Sequence, residues 1–186
     1  MSNFPIVATV LSMILGLSVT RLLLGVLTVF RIRRAAAPDW VALVWAIILF
    51  TTQLEFWWAV NELPSIKVTF SFAEFLLLVL LALSLFVSSA LLLPSRSEDE
   101  RNGLRLYFEQ DGRYALLSLS TFLVLGLFVN VIFFQVSPVA LWGALDVLMI
   151  ILPVCAFIAK SRKAYSIITL IYVPINALDI VVSLAK

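Results

Sequence analysis

Four carboxylates lie inside long apolar stretches of this chain, Glu55, Glu74, Asp146 and Asp179, and they are the side chains best able to do chemistry. A carboxylate in a bilayer is costly. It normally faces other helices or water, where it can pair, attract a cation or carry a proton. Counted from the nearer end of its own stretch, each lies roughly 7–10 Å deep at 1.5 Å per residue. Two amides, Asn130 and Asn176, fall at similar depth. The last stretch adds a pattern: Tyr165, Thr169, Tyr172, Asn176, Asp179 and Ser183 recur at spacings of 4, 3, 4, 3 and 4. On a helix these form one polar stripe through the thickness of a membrane. Such a stripe lines an aqueous path or hydrogen-bonds to neighbouring helices. Likewise, the acids form either an outer vestibule or a wetted rim of static hydrogen bonds near Trp57 and Trp58, which read as an interfacial aromatic belt.

Arg21 is a further buried charge, about nine residues or roughly 13 Å from the end of the first stretch. Ser18, Arg21, Gly25 and Thr28 share one helix face. This predicts a buried partner for the guanidinium rather than snorkelling to the headgroups. A second small-residue face, Ser12, Gly16 and Thr20, is predicted to pack against another helix.

The chain has no histidine and one cysteine, Cys155. No internal disulfide and none of the usual metal-ligand sets can be built from these, so Cys155 is read as packing and no metal or cofactor is expected. No Gly-rich phosphate loop, zinc-protease helix or Ser-centred elbow is present, so the reading is not an enzyme.

The elements that must position these residues are apolar runs at about 5–30, 40–61, 68–93, 114–134, 139–158 and 164–184. Each is about 20 residues or longer, enough to cross a hydrocarbon core of about 30 Å. The sequence is 63% hydrophobic, with mean hydropathy +1.12. The expected fold is all-α: one transmembrane domain over 1–186, a bundle of six helices embedded in lipid. Pro153 and Pro174 are expected to kink the fifth and sixth spans. A residue-for-residue inverted repeat is not apparent, because Glu55 falls late in its span and Asp146 early.

Loop charge alternates. Arg31, Arg33 and Arg34 follow the first span, Arg96, Arg101, Arg105 and Arg113 the third, and Lys160, Arg162 and Lys163 the fifth; the other loops hold only Lys67. Short basic loops stay cytoplasmic, so six spans place both termini outside. The first span reads as a retained anchor, since no basic residue precedes it and no small-residue cleavage site follows. Between the third and fourth spans, Ser97-Glu98-Asp99-Glu100 has capping-box spacing and Arg105 can pair with Glu109. Leu104, Tyr107 and Phe108 supply an apolar edge, and Gly112 a stop. These predict a short cytoplasmic amphipathic helix at about 97–111.

The segment Leu15-Gly16-Leu17-Ser18-Val19-Thr20-Arg21-Leu22-Leu23, the run Glu55-Phe56-Trp57-Trp58, and Leu93-Pro94 followed by Tyr107-Phe108 resemble those of uncharacterised bacterial multi-pass inner-membrane proteins. The resemblance implies a bacterial inner membrane and a six-helix bundle, and carries no activity or ligand. Two functional classes lead; a third, a membrane enzyme acting on lipid, has only the acids as candidate groups and lacks a histidine or metal set. One is a channel- or transporter-like protein moving protons, small cations or a small polar solute along the polar stripe. The other is a non-catalytic assembly subunit whose polar residues lock helices or bind a partner. The lipid bilayer is the expected surroundings, with a second copy or another membrane protein as candidate partner and no nucleic acid.

Overall fold

The first helix shows how the bundle is made. Its buried residues, Val7, Leu11, Leu15, Ser18, Leu22, Gly25 and Val29, recur at spacings of four or three. That is one narrow seam of the coiled-coil type. Ile6, Met13, Leu17, Leu24 and Phe30 on the other faces are exposed. An outward surface this apolar would be a liability in water and is what a lipid surround requires.

The computed structural model describes residues 2–34, 36–67, 69–94, 103–133 and 141–184, apart from the side chains of 141–143 and 183–184. Within these the chain is helical and contains no strand. The elements are α1 (Phe4–Ile32), α2 (Trp40–Ile66), α3 (Phe72–Leu92), the short α4 (Leu104–Tyr107) running into a π turn (Phe108–Gly112), α5 (Tyr114–Phe133), α6 (Leu141–Ile158) and α7 (Arg162–Leu184). Among the described residues, α1, α2, α3, α5 and α7 are long and apolar enough to cross a membrane, whereas the described apolar stretch of α6, Ala144–Ile158, is shorter. Among the described residues helix length thus supports five crossings, and positions 139 and 140 of the predicted fifth span lie outside them.

The long helices close a ring in the order α1, α3, α5, α6, α7, α2 and back to α1, with α2 also touching α3. Contacts fix their directions. Asn3, before α1, exchanges two hydrogen bonds of 2.8 Å with the backbone of Phe70, before α3. Phe70 also meets Phe133, at the end of α5. At the opposite end Arg162 meets Asp39, and Tyr114 meets Phe157. Successive long helices thus run in opposite directions.

Caps set the helix boundaries. The Asp39 side chain accepts from the Val41 amide to start α2. Ser71 and Glu74 form a reciprocal capping box that starts α3 at Phe72, four residues later than the apolar run predicts. Both box partners satisfy backbone donors that the first turn leaves free. Pro64, Pro153 and Pro174 all sit inside continuous helices.

Small residues knit the interior. Ser18 donates to Ser89 at 3.1 Å, and Gln53 donates to the same oxygen at 2.9 Å, tying α1, α2 and α3 together. Ser88 reaches the Ala115 carbonyl of α5, and Ser120 that of Ile150 on α6. Gly25 lies so close to Leu93 that a Cβ there would come within 2.7 Å of the leucine Cβ. By contrast, Gly16 and Thr20 are exposed, and a Cβ on Gly16 would meet open space. The second small-residue face of α1 therefore points out of the bundle, contrary to the expectation that it packs inside. Cys155 is likewise exposed on α6 rather than packed in the core.

Of the predicted surface helix, 97–111, the structure describes the part from residue 103 onward. Residues 95–102, with the Ser97–Glu100 cap, lie outside the described residues. From Leu104 onward the chain is helical, and Leu104 and Phe108 are buried against the bundle rather than lying on a surface. The Arg105–Glu109 pair forms at 2.9 Å. Gly112 does not stop the helix. It sits in the π turn, where a Cβ would come within 2.9 Å of the Leu92 carbonyl oxygen, and the chain passes through Arg113 directly into α5. Glycine is used here for close approach, not for a left-handed turn; that role falls to Gly103, at φ +88° just before α4.

Candidate functional site: the α2–α7 interface

The stripe predicted on the last span exists, and it faces inward. Tyr165, Thr169, Tyr172 and Asn176 are all buried, Tyr172 completely, and Asp179 is half-buried. The 4-3-4 spacing keeps them on one face of α7, which packs against α2. From Tyr165 to Asp179 the stripe covers about 21 Å of helix rise.

Trp45 of α2 holds its middle. The indole nitrogen donates to Thr169 Oγ1 at 3.0 Å, and the hydroxyl of Thr169 donates to the Tyr165 carbonyl one turn back. The Trp45 and Tyr172 rings lie 4.8 Å apart, tilted by 38°. The two rings close the interface at this level. Beyond them the character changes. Tyr172 Oη, Asn176 Nδ2 and Glu55 Oε1 are buried and have no hydrogen-bond partner among the described residues. The Glu55 and Asp179 carboxylates lie within electrostatic range of each other and of Tyr172. On α2, Gln53 Oε1 is a fourth buried atom of this kind.

The other end of the stripe is fully bonded. Arg162 grips Asp39 through two nitrogens, at 2.6 and 2.7 Å, and Asp39 is almost wholly buried. The same guanidinium donates to the Tyr165 hydroxyl at 2.8 Å, and that hydroxyl donates to Glu109 at 2.6 Å. Arg105 completes the chain on Glu109. The Tyr165 hydroxyl does most to hold the Glu109 carboxyl below its usual range; partial burial opposes it and Arg105 adds to it. One hydrogen-bonded relay thus joins the start of α2, the start of α7 and the π turn.

The other predicted residues divide. Glu55 and Asp179 come together with the stripe, and Asp146 is half-buried on α6. Glu74 does not join an acidic layer; it caps α3 and pairs with Lys67 at 2.7 Å. Its apparent depth came from counting Val68–Ser71 as helix, whereas the capping box puts it in the first turn of α3. Asn130 is exposed on α5, facing away from the interface. The side chain of Ser183 lies outside the described residues. Arg21 has its partner, the Ala90 carbonyl of α3 at 3.2 Å. Asp39, Trp45 and Arg162 belong to the interface, and of these the sequence reading named only Arg162, as a loop charge; Gln53, bonded to Ser89 of α3, was not singled out either. Only Gln53, an amide in an apolar run, carried a visible signal. Among the described residues no three Cys, Asp or Glu side chains gather as a metal-binding set. No protein-family model matches the chain, and no curated protein or solved structure is detectably similar to it.

Proposed function

We propose that this protein is a channel- or transporter-like membrane protein that passes protons or small cations along the α2–α7 interface. The observation that carries the reading is the set of buried polar atoms without a hydrogen-bond partner among the described residues: Glu55 Oε1, Tyr172 Oη and Asn176 Nδ2. An unsatisfied polar group in an apolar interior costs about 1–3 kcal/mol. Three at one interface, Glu55 from α2 and Tyr172 and Asn176 from α7, are a large penalty. Transient bonds to water, protons or a cation relieve it. Glu55 and Asp179 supply the exchangeable charge, Tyr172 and Thr169 the intermediate hydroxyls, and Trp45 with Tyr172 a constriction that must move for passage.

The proposed topology is six crossings in a bacterial inner membrane with both termini outside. Its support is that the ends of α1, α3 and α6 and the starts of α2, α5 and α7 share one end of the bundle, which gathers Arg31, Arg33, Arg34, Arg105, Arg113, Lys160, Arg162 and Lys163.

Flux in proteoliposomes under an imposed pH gradient tests the reading. Asp179→Asn keeps shape and hydrogen bonding but cannot titrate, so it should cut proton flux at least tenfold while leaving the melting temperature nearly unchanged. Full flux in Asp179→Asn, beside instability in Asp179→Leu, would show the carboxylate to be structural.

One observation favours the alternative, a non-catalytic assembly subunit. The outward Gly16–Thr20 face at the middle of α1 leaves room for a helix backbone to approach. On that reading Gly16→Leu releases a co-purifying partner and the liposomes show no flux.

A further inference from the structure

Beside the relay, at the basic end of the bundle, is a cavity of about 140 Å³ between the π turn, the end of α6 and the start of α7. Phe108 and Ala156 give it an apolar wall, and Glu109, Arg113, Lys160 and Tyr165 its polar lining. The charges in and around it are unequally engaged. Glu109 is held by Arg105 and Tyr165, and Arg162 by Asp39. Arg113 and Lys160 have no ion-pair partner among the described residues. The Arg113 Nε is buried without a hydrogen-bond acceptor, while its guanidinium carbon lies 5.7 Å from the Phe157 ring centroid. The exposed Asp111 does not line the cavity. A half-buried guanidinium with an unused donor, beside a free ammonium, calls for an anion with several acceptor oxygens. A guanidinium fork suits a phosphate in particular. The volume resembles that of a cavity that takes one benzene ring, about 150 Å³. It is well below the roughly 300 Å³ at which drug-sized sites begin.

We infer that this cavity binds the phosphate group of an anionic ligand, held by Arg113 and Lys160. Two sources share this chemistry, an anionic phospholipid headgroup and free inorganic phosphate. Position bears on the choice, because Lys160 follows the end of α6 and Arg113 precedes the start of α5. Both therefore stand at the level where a headgroup would lie, and basic pockets between helices at that level hold anionic headgroups.

The test is thermal unfolding of the full chain in neutral detergent at fixed ionic strength. The additions are phosphatidylglycerol, phosphatidylcholine or sodium phosphate. At a hundredfold excess over Kd, a specific ligand should raise the melting temperature by about 5 °C. A rise with phosphatidylglycerol that phosphatidylcholine does not reproduce, and that Lys160→Gln and Arg113→Gln both lose, supports the site with lipid as its source. A rise with sodium phosphate, lost in the same variants, supports it with the free ion. Lys163→Gln, which removes a neighbouring charge that does not line the cavity, should keep the rise in either case. No rise with either ligand overturns the inference, and so does a rise that persists in Lys160→Gln. Lys160 is exposed, so its substitution leaves the fold intact even if Arg113→Gln does not.

Discussion

At Arg21 a cation deep in an apolar helix is held by a neutral oxygen, the Ala90 carbonyl at 3.2 Å. Ala90 lies in the last turn of α3, whose final carbonyls have no partner within the helix. The guanidinium therefore satisfies an orphan acceptor and meets the negative end of the helix dipole. Arg21→Leu loses both and should destabilise by about 1–2 kcal/mol, lowering the melting temperature in detergent by about 2–6 °C. An unchanged or raised melting temperature would mean that α3 gains nothing from the contact. Glu74 illustrates the opposite outcome at this scale. Read by depth it belonged to an acidic layer, yet its carboxylate is spent on the Ser71 amide and Lys67. A carboxylate three residues after a serine is first a capping partner, and local bonds of that kind outrank distant ones.

Between elements, the Asp39–Arg162 pair is the principal bond from α2 to α7 at the basic end. Arg162→Met strands a buried carboxylate, and breaking such a pair costs about 3–5 kcal/mol. Adding Asp39→Asn removes the stranded charge while keeping the α2 cap, since asparagine caps as well as aspartate. The double variant should therefore recover most of the stability lost in the single one. Equal melting temperatures in the two would show that charge burial is not the cost. This pair was not legible in the sequence. Its members are 123 positions apart at the starts of two helices, where charges inform on orientation but not on partners. The α7 stripe was legible, because a period of 3.6 survives in any helix and an inward polar face stands out against apolar neighbours. Small residues mark where backbones can approach without saying which side lipid takes. The Ser18–Gly25 face was thus placed correctly, and the Ser12–Thr20 face was not. The π turn had no signal, since the reason for Gly112 is the Leu92 carbonyl of another helix.

For the whole molecule, the number of crossings decides which side of the membrane each terminus faces. Among the described residues five helices reach the needed length, and α6 runs antiparallel to both neighbours. With α6 crossing, a reporter active only in the periplasm and fused after Lys186 should give a signal, and one inserted in the Arg31–Pro38 loop should be silent. A silent reporter at Lys186 would leave five crossings and move the C-terminus to the cytoplasm.

The closing of the helix ring by α7 onto α2 bears on how the protein is made. Synthesis runs from the N-terminus, and α7, which covers Trp45, Glu55 and Asp39, leaves the ribosome long after α2. More than a hundred residues are inserted while that polar face of α2 still waits for its cover. A chain truncated before Arg162 should therefore carry an unpartnered Asp39 and an uncovered Trp45, and present quality-control proteases with a bundle whose ring has not closed. The contacts of α7 on α2 are thereby among the late bonds of the bundle.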